Sequence, residues 1–590
     1  MNIKGIFNPF KAFVQIFKKP HTILVPHKRR EASDSYRGFH YNDINRCVGC
    51  GNCSVICDTE AIDMVKVKGI EPKKGDSGYR PRIDYGRCCW CAMCVEICPT
   101  SSLEMTNQYL WVRYSPDEFV FISGYDKIGH EDKIDKGYKK SSQFCLVPRE
   151  RVEMKKEKPQ KRVKTFAEVV FGYTEEEAIK EASRCLGCGL CITGCPDRMH
   201  IPEYVQAIAE KDYERSVNVI YENNPFGEMC GKVCTRNCEN YCTLGYLGEP
   251  VAIRWLKRYV TERFEDFRDV IKIKKETNKK KTVGIIGTGP AGLTAAYYLR
   301  VKGYQITVYE AMNKPGGMLM AGIPKYRFPL PSLEKQIDLI KSIGVNIKTG
   351  YYVDKKRFKE LMKKHDALFI AVGLMKSLKL GVPGENFKGV IYALDFLTEI
   401  NFGGSIDLGR KVIVIGGGNV AIDAARTSKR VGASVKIMYR RRVVDMPADD
   451  EEIEEALEEK IEIIPQIIPL RIEESGNRLK LIYGKAKMVE QAEGRRPKPV
   501  LIEGKEYQEL CDTLIVAIGQ RADLSFIPDD ILKKIELDGY KIKVNKRAMT
   551  TVKDIFAGGD VVNWTADAIS AIADGLKAVK GIDLYLKSKK

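Results

Sequence analysis

Residues 282–310 read TVGIIGTGPAGLTAAYYLRVKGYQITVYE, and this stretch decides the fold. A short β-rich run, Thr282 to Ile286, leads into Gly287-Thr-Gly289-Pro-Ala-Gly292. An apolar helical segment follows through Leu299, and a second β-rich run, Gln305 to Tyr309, ends at Glu310. The order strand, G-x-G-x-x-G, helix, strand, acid predicts a doubly wound dinucleotide-binding unit. Its glycines let a pyrophosphate approach the helix N-terminus, and its acid can accept hydrogen bonds from a ribose. A bare glycine motif is weak, but the flanking strand and helix make this one specific.

The unit recurs. Val412 to Ile415 reads as a strand, Gly416-Gly-Gly418-Asn-Val-Ala421 as the turn, and Val435 to Tyr439 as the next strand. Where the first unit ends in Glu310, this one ends in Arg440, Arg441 and Arg442. Guanidinium groups cannot play the carboxylate's part but can clamp a ribose 2′-phosphate, which predicts NADPH in preference to NADH; a solvated basic strand end is the alternative. In the tail, Ile555-Phe-Ala-Gly558-Gly559-Asp560 lies between the strand-like Lys541 to Val544 and a helix expected from about Ala566. A carboxylate at such a junction could bond a flavin ribityl hydroxyl or merely cap the helix.

Working upstream, 16 of the 19 cysteines fall into four quartets. These are Cys47, Cys50, Cys53, Cys57; Cys88, Cys91, Cys94, Cys98; Cys185, Cys188, Cys191, Cys195; and Cys230, Cys234, Cys238, Cys242. The first three read C-x2-C-x2-C-x3-C, the ferredoxin run for a 4Fe-4S cluster, in which three thiolates wrap one cube and the fourth points to a neighbour. Zinc more often uses two C-x2-C knuckles separated by a longer loop. The last quartet, C-x3-C-x3-C-x3-C, is less specific and could equally be buried cysteines on one helix face.

The rest of the chain sets limits. Its 590 residues are 44% hydrophobic and 30% charged, which excludes fibrous, disordered and membrane-spanning classes, and no uninterrupted apolar run approaches a spanning helix. With no cleavable leader in view, the expected location is the cytoplasm, with membrane contact only peripheral, on the inner face through a partner complex. The net charge of +19 favours acidic partners such as a ferredoxin, but the basic residues sit mainly in linkers and termini, so nucleic acid is a poor reading.

Composition shifts give the expected domains. Residues 1–39 form a basic amphipathic segment suited to a membrane interface, a partner subunit or its own domain. A two-cluster ferredoxin-like domain spans 40–145 and a linker 146–164. A helical iron-sulfur domain follows at 165–271, its helix starting from Phe166, Val169 and Val170, and a second linker at 272–281. One nucleotide-binding domain is then split into 282–400 and 509–590 by a second at 401–508.

Residues 165–590 resemble the small subunit of NADPH-dependent glutamate synthase and its relatives. Among these are the N-terminal part of dihydropyrimidine dehydrogenase and the large subunit of NADH-dependent ferredoxin:NADP oxidoreductase. The text that carries the resemblance includes FAEVVFGYTEEEAIKEASRCLGCGLCITGCP, NPFGEMCGKVC, VGIIGTGPAGLTAAYYL, PGGMLMAGIPKYRFP, VIGGGNVAIDAAR, YRRRVVDMPA and IFAGGDVV. The resemblance implies two Rossmann-like α/β domains, the NAD(P)H domain inserted in the FAD domain, behind an α-helical domain with two 4Fe-4S clusters. Gly287, Gly289, Gly292 and Glu310 would hold FAD, with Gly316, Gly317 and Met318 near the flavin and Gly559 and Asp560 closing the site. Gly416, Gly418, Ala421, Arg440 and Arg441 would hold NADPH (or NADH). Cross-ligation would pair Cys185, Cys188 and Cys191 with Cys242, and Cys195 with Cys230, Cys234 and Cys238. Relatives commonly have longer gaps before the third cysteine of each quartet, so a non-cysteine ligand in place of Cys230 stays open.

Residues 1–110 resemble the α+β two-cluster ferredoxin-like subunit I of respiratory complex I and membrane hydrogenases, through SYRGFH and RCCWCAMCVEICPT. That fold would pair Cys47, Cys50 and Cys53 with Cys98, and Cys88, Cys91 and Cys94 with Cys57. Two features depart from it: Asp58 follows Cys57 in place of proline, and Cys89 adjoins Cys88.

Together these imply an FAD-dependent iron-sulfur oxidoreductase with four 4Fe-4S clusters and no catalytic acid or base, Lys325 and Tyr326 being candidate tuners of the flavin. Its partner would be a ferredoxin or a redox subunit of a hydrogenase or membrane complex, docking near the N-terminal ferredoxin domain. The alternative is the small subunit of a glutamate synthase, feeding a separate synthase subunit.

Overall fold

The computed structural model describes residues 8–24, 27–28, 30–73, 75–126, 136–141, 146–273, 276–277, 279–491 and 496–589. It divides into two compact units, Met1–Arg149 and Glu150–Lys590.

In the first unit, strands His40–Asn42 and Leu103–Met105 pair antiparallel, and Ile62–Lys66, Tyr79–Asp84 and Val120–Phe121 form an antiparallel three-stranded sheet. Two short helices, Asn52–Val55 and Met93–Ile97, each follow the second cysteine of a run through a left-handed residue, Gly51 at φ 80° and Ala92 at φ 68°. Glycine takes that turn freely, whereas alanine gives up about 1 kcal/mol, so the loop around the second run is held by its surroundings. Ile83, Val95, Met105 and Phe121 fill the core beside Cys94 and Cys98. Ahead of this domain, the helix Asn8–Ile16 carries Phe10, Phe13 and Ile16 at 60% exposure or more. Lys4, Ile6 and Phe7 of the expected amphipathic segment lie outside the described residues.

The second unit begins with helices. The expected helix at Phe166–Val170 does not form: Val170 bridges Lys156 in β fashion, Gly172 turns the chain at φ 82°, and the helix starts at Glu175 behind the capping box of Thr174 and Glu177. The stretch expected as a linker at 146–164 is packed, with a turn of helix at Pro159–Arg162 and Arg162 only 1% exposed. Helix Ile201–Ala209 buries Ile201, Tyr204, Val205 and Ile208, the one-sided spacing of a helix against a core. That core runs on from Tyr204, Val217 and Leu256 into Val283, Leu293 and Ile572, so the helical region and the first nucleotide fold share one interior.

The first nucleotide fold is a five-stranded parallel sheet in the order Ile555–Ala557, Ala367–Ile370, Thr282–Ile286, Gln305–Tyr309, Asn346–Lys348. The central strands are covered on both faces and read as nearly unbroken apolar runs. A second parallel sheet, Val390–Tyr392, Thr513–Val516, Lys411–Ile415, Ser434–Met438, Glu462–Ile464, is inserted in it and has its own core around Val414, Ala421 and Ile437. The expected fold class therefore holds, with a correction at the insertion points. Val390–Tyr392 and Thr513–Val516 belong to the second sheet, outside the 401–508 expected for it. Short runs of β-branched residues carry no mark of the sheet they join, and the crossing is only the pair Lys376–Ser377 with Gln520–Arg521. An antiparallel meander, Ile467–Ser475, Arg478–Val489 and Lys498–Cys511, was not foreseen. The strand expected at Lys541–Val544 shrinks to Lys541–Ile542, and the last helix is Ala568–Ser588.

Candidate functional site

Strand Thr282–Ile286 delivers Gly287 at φ 105°, where a Cβ would stand 2.4 Å from the Ala371 carbonyl oxygen. A Cβ on Gly292 would stand 2.1 Å from the Gly287 carbonyl oxygen, so helix Pro290–Val301 sits flush on the turn. Gly289 faces open space: a Cβ there would meet nothing within 4 Å. In front of it lies a cavity of about 280 Å³, lined by the Gly287–Ala291 turn, Glu310, Gly317, Met318, Gly559 and Asp560. Gly316 stands behind this wall and donates its N–H to Thr288 Oγ1 at 3.0 Å. The Glu310 carboxylate accepts from the backbone N–H groups of Thr288 and Met312, each at 2.9 Å, which fixes it at the cavity edge.

Asp560 is the informative group. Burial pushes its carboxyl up to about 6, and its Oδ1 is buried with no partner among the described residues. It does not cap the final helix; Asp567 does, accepting from Ser570 N–H at 2.8 Å. A buried acceptor left open in a cavity calls for a hydroxyl-bearing ligand. With a helix N-terminus for a pyrophosphate and Glu310 for a ribose, this donor set fits FAD.

The second turn repeats the geometry. A Cβ on Gly416 would stand 2.2 Å from the Ala517 carbonyl oxygen, Gly418 begins helix Asn419–Arg430, and Ala421 is fully buried beneath it. The arginine triplet divides its work. Arg442 binds Asp445 at 2.8 Å and closes its own turn, while Arg441 donates to the Pro497 carbonyl at 2.8 Å. Arg440 forms no ion pair among the described residues. Its guanidinium is pushed down by burial and then by the like charges of Arg441 and Arg496. Arg440, Arg441 and Arg496, none of them in a carboxylate ion pair among the described residues, fit a phosphate. Arg496 arrives from the meander, 56 residues beyond the motif by the numbering, where no local signal marks it.

In the same unit Cys185, Cys188, Cys191 and Cys242 line one small pocket, walled by Leu186, Ile201, Val205, Leu244, Val251 and Ile253. Cys195, Cys230, Cys234 and Cys238 form a second group, within which Cys230 and Cys234 share a hydrogen bond. That bond, then the nearby ammonium of Lys257, pulls Cys234 down to about 6. Asn224 Nδ2 donates to Cys230 Sγ at 3.2 Å. Asp567 lies near enough to act on both Cys234 and Asp560, which sets this second group on the flavin-cavity side. The bland reading of the fourth quartet, one helix face, does not apply: only Cys230 lies within helix Gly227–Val233, and Cys238 and Cys242 flank a separate short turn.

In the first unit Cys98 acts on Cys47 and Cys53, while Cys57 acts on Cys88, Cys91 and Cys94, and Cys94 also acts on Cys53. Cys50 adjoins Cys53. Cys89 and Asp58 are exposed. His40 Nε2 sits 3.2 Å from Cys94 Sγ, a contact across 54 residues that spacing could not reveal. Among the described residues no three His, Cys, Asp or Glu side chains close on a point as a single ion requires, and Cys185, Cys188, Cys191 and Cys242 line a small pocket instead. Four thiols around a volume fit a cube. Tyr326 does not line the flavin cavity. It is fully buried with the Arg430 guanidinium 3.8 Å from its ring centroid. No helix among the described residues is long and apolar enough to cross a membrane.

Three family models match in succession. They are a 4Fe-4S dicluster domain at residues 46–102, the 4Fe-4S domain II of dihydropyrimidine dehydrogenase at 162–268, and the pyridine nucleotide-disulphide oxidoreductase domain at 281–575. The beta subunit of the NADPH-Fe(3+) oxidoreductase of Geobacter sulfurreducens is 35% identical over 434 residues, 68% of this chain and 64% of that one. The beta subunit of the NADP(+)-dependent formate dehydrogenase of Moorella thermoacetica is 37% identical over 435 residues, 67% of this chain and 60% of its own. This chain thus spans less than two thirds of either. It spans 93% of the small chain of the NADPH glutamate synthase of Azospirillum brasilense, at 32% identity over 453 residues and 72% of this chain. With both nucleotide turns and the cysteine groups in place, the chain belongs to the family of FAD- and NAD(P)H-binding iron-sulfur oxidoreductases that includes the glutamate synthase small chain.

Proposed function

We propose that this chain is the electron-input subunit of a larger enzyme, taking electrons from NADPH and passing them one at a time through four 4Fe-4S clusters to a separate partner. The observation that carries the reading is Asp560, a buried carboxylate with an open acceptor in a cavity that also receives a glycine turn and a helix N-terminus. When bound, FAD takes two electrons as a hydride from the nicotinamide and gives them up singly, a conversion that belongs to the cofactor. The chain supplies placement. The N-terminus of helix Pro290–Val301 holds the pyrophosphate, Glu310 the ribose and Asp560 a ribityl hydroxyl, while Gly317 and Met318 close the wall. Arg440 and Arg441 hold the 2′-phosphate of NADPH over the Gly416–Gly418 turn. Sixteen cysteines hold the four cubes in the pairings of the two cysteine groups in each unit. No side chain serves as a general acid or base.

The partner that the relatives support best is a separate synthase subunit. The glutamate synthase small chain is matched over 93% of its length, whereas the oxidoreductase and dehydrogenase beta subunits extend well past the shared region. A second reading, a ferredoxin-like protein or a subunit of a hydrogenase or membrane complex, is favoured by the dicluster domain at 46–102, a module with cubes of its own. The test starts from protein reconstituted without oxygen. NADPH should reduce a one-electron dye, and glutamate should form once a candidate synthase subunit, glutamine and 2-oxoglutarate are added. Dye reduction without glutamate, together with reduction of an added ferredoxin, selects the second reading; no dye reduction removes both.

A further inference from the structure

His40 opens strand His40–Asn42, and its backbone is held on both sides. Its N–H donates to the Tyr85 hydroxyl at 3.0 Å, and its carbonyl accepts from Ser123 Oγ at 2.5 Å. The residue stands opposite Met105 across the strand pair and is 5% exposed. Its ring lies nearly parallel to that of Trp90, at 18° with centroids 6.4 Å apart, and its centroid is 5.7 Å from that of Tyr85. Wedged in this way, the ring brings Nε2 to 3.2 Å from Sγ of the buried Cys94. Neighbouring sulfurs are met from the cysteine loops themselves, Cys88 Sγ by the Trp90 N–H at 3.4 Å and Cys57 Sγ by Thr59 Oγ1 at 3.5 Å. His40 reaches in from 54 residues away.

The surroundings decide which ring nitrogen carries the proton. Nδ1 is buried and has no partner among the described residues. A proton on Nδ1 alone would therefore find no acceptor and would leave the Nε2 lone pair facing sulfur. A cysteine that ligates iron is a thiolate and has no proton of its own to give. Nε2 therefore donates and Cys94 Sγ accepts, whether the ring is neutral or charged, since Nε2 carries its hydrogen in both forms. An N–H aimed at a ligand sulfur draws negative charge from it. Reduction adds one negative charge to the cube and its sulfurs, so the bond strengthens and the reduced form gains more from it than the oxidised form does.

We propose that His40 is a positioning residue, acting through Cys94, that raises the reduction potential of the cube held by Cys88, Cys91 and Cys94. The step it favours is the addition of one electron to that cube, with no bond broken and the proton kept on Nε2. The electron comes from NADPH by the route proposed above, or from dithionite in the test. This inference rests on the cluster reading above.

The test uses the full chain reconstituted with iron, sulfide and FAD under exclusion of oxygen, titrated with dithionite and followed by electron paramagnetic resonance. Iron content and reducible signals in the wild type come first; their absence would remove the cluster reading, and the proposal with it. Cys91→Ser marks the signal that belongs to this cube. Given that signal, His40→Phe, which keeps a flat ring without a donor, should shift its reduction equilibrium at least threefold toward oxidised, about 28 mV for one electron, and leave the other cubes unmoved. His40→Gln, whose amide N–H can take the place of Nε2–H, should shift it less. An iron-replete His40→Phe protein with an unmoved equilibrium overturns the proposal. So does a His40→Gln shift as large as that of His40→Phe, which would assign the effect to packing. Should His40→Phe fail to assemble, wild-type protein labelled with nitrogen-15 in histidine decides. The signal marked by Cys91→Ser must then show coupling to a histidine nitrogen, and its absence overturns the proposal.

Discussion

Arg162 Nε lies 2.9 Å from Glu459 Oε1, although 297 residues separate them, and neither side chain is more than 1% exposed. Arg426 and Arg430 reach the same carboxylate at 2.8 and 2.9 Å, and Glu452, Glu455 and Glu458 offset the excess positive charge. Arg430 also stacks on Tyr326, and Arg327 beside it binds Asp423 at 2.7 Å. One ionic knot therefore ties the segment before the iron-sulfur helices to the inserted nucleotide fold, and that fold to the loop following the flavin cavity.

Removing one partner from such a knot leaves charges buried without compensation, which typically costs about 3–5 kcal/mol. Glu459→Gln should lower the unfolding midpoint of the protein accordingly in a denaturant titration. Glu458→Gln, at a side chain 54% exposed, should change it by less than about 1 kcal/mol. Equal effects of the two would show that the knot contributes nothing beyond a surface pair.

The arginines after the second glycine turn give a coenzyme test. Arg440→Ala with Arg441→Ala removes charge-assisted bonds to a phosphate that NADH lacks. KM for NADPH should rise by the equivalent of about 1.5–3 kcal/mol while KM for NADH stays nearly level. Arg442→Ala should spare the preference, because that side chain is committed to Asp445. Steady-state kinetics with both coenzymes reads all three, and an equal loss for both removes the phosphate clamp.

How far the sequence could be read depended on distance along the chain. Gly287, Gly289 and Gly292 act within one turn, and the first three cysteine quartets keep one short repeated spacing, so spacing alone marks them, whereas the fourth is spread over helix Gly227–Val233 and a separate turn. Two-residue crossings at Lys376–Ser377 and Gln520–Arg521 are too short for any periodicity, and the edges of the inserted sheet were displaced for that reason. Arg496, His40, Lys257 and the pair Arg162–Glu459 do their work on partners far away in sequence. A basic stretch such as 149–164 looks solvated until the carboxylates that bury it are in view.

The cysteine groups predict which substitutions act together. Cys242→Ser and Cys188→Ser touch one pocket, and Cys195→Ser and Cys238→Ser the other. Each single substitution should lower iron by about four atoms per chain or convert one cube to a three-iron form, from about sixteen in the wild type. The double variant Cys188→Ser with Cys242→Ser should lose no more iron than either alone, while Cys188→Ser with Cys238→Ser should lose about twice as much. Iron and sulfide assays check this, and additive loss within the first pair would break the cross-ligated partition.

Asp560 opposes stability to cofactor binding. Its carboxyl in the flavin-free protein is raised by burial to about 6 from 3.8. The folded state therefore holds its proton more tightly than the unfolded chain. This contribution to stability is fully present below about pH 4, is lost as pH rises through 6, and leaves a penalty of about 2–3 kcal/mol at pH 8. Asp560→Asn should relieve that penalty, so the flavin-free variant should unfold later than wild type at pH 8 and match it near pH 4. Binding should move the other way. An ionised carboxylate is the better acceptor for a ribityl hydroxyl, so wild-type FAD affinity should rise between pH 5 and 7, and the variant should bind more weakly with a flatter profile. Flavin fluorescence quenching and thermal unfolding across that range measure both. A variant that gains stability yet binds FAD with unchanged affinity and slope would show that Asp560 does not face the flavin.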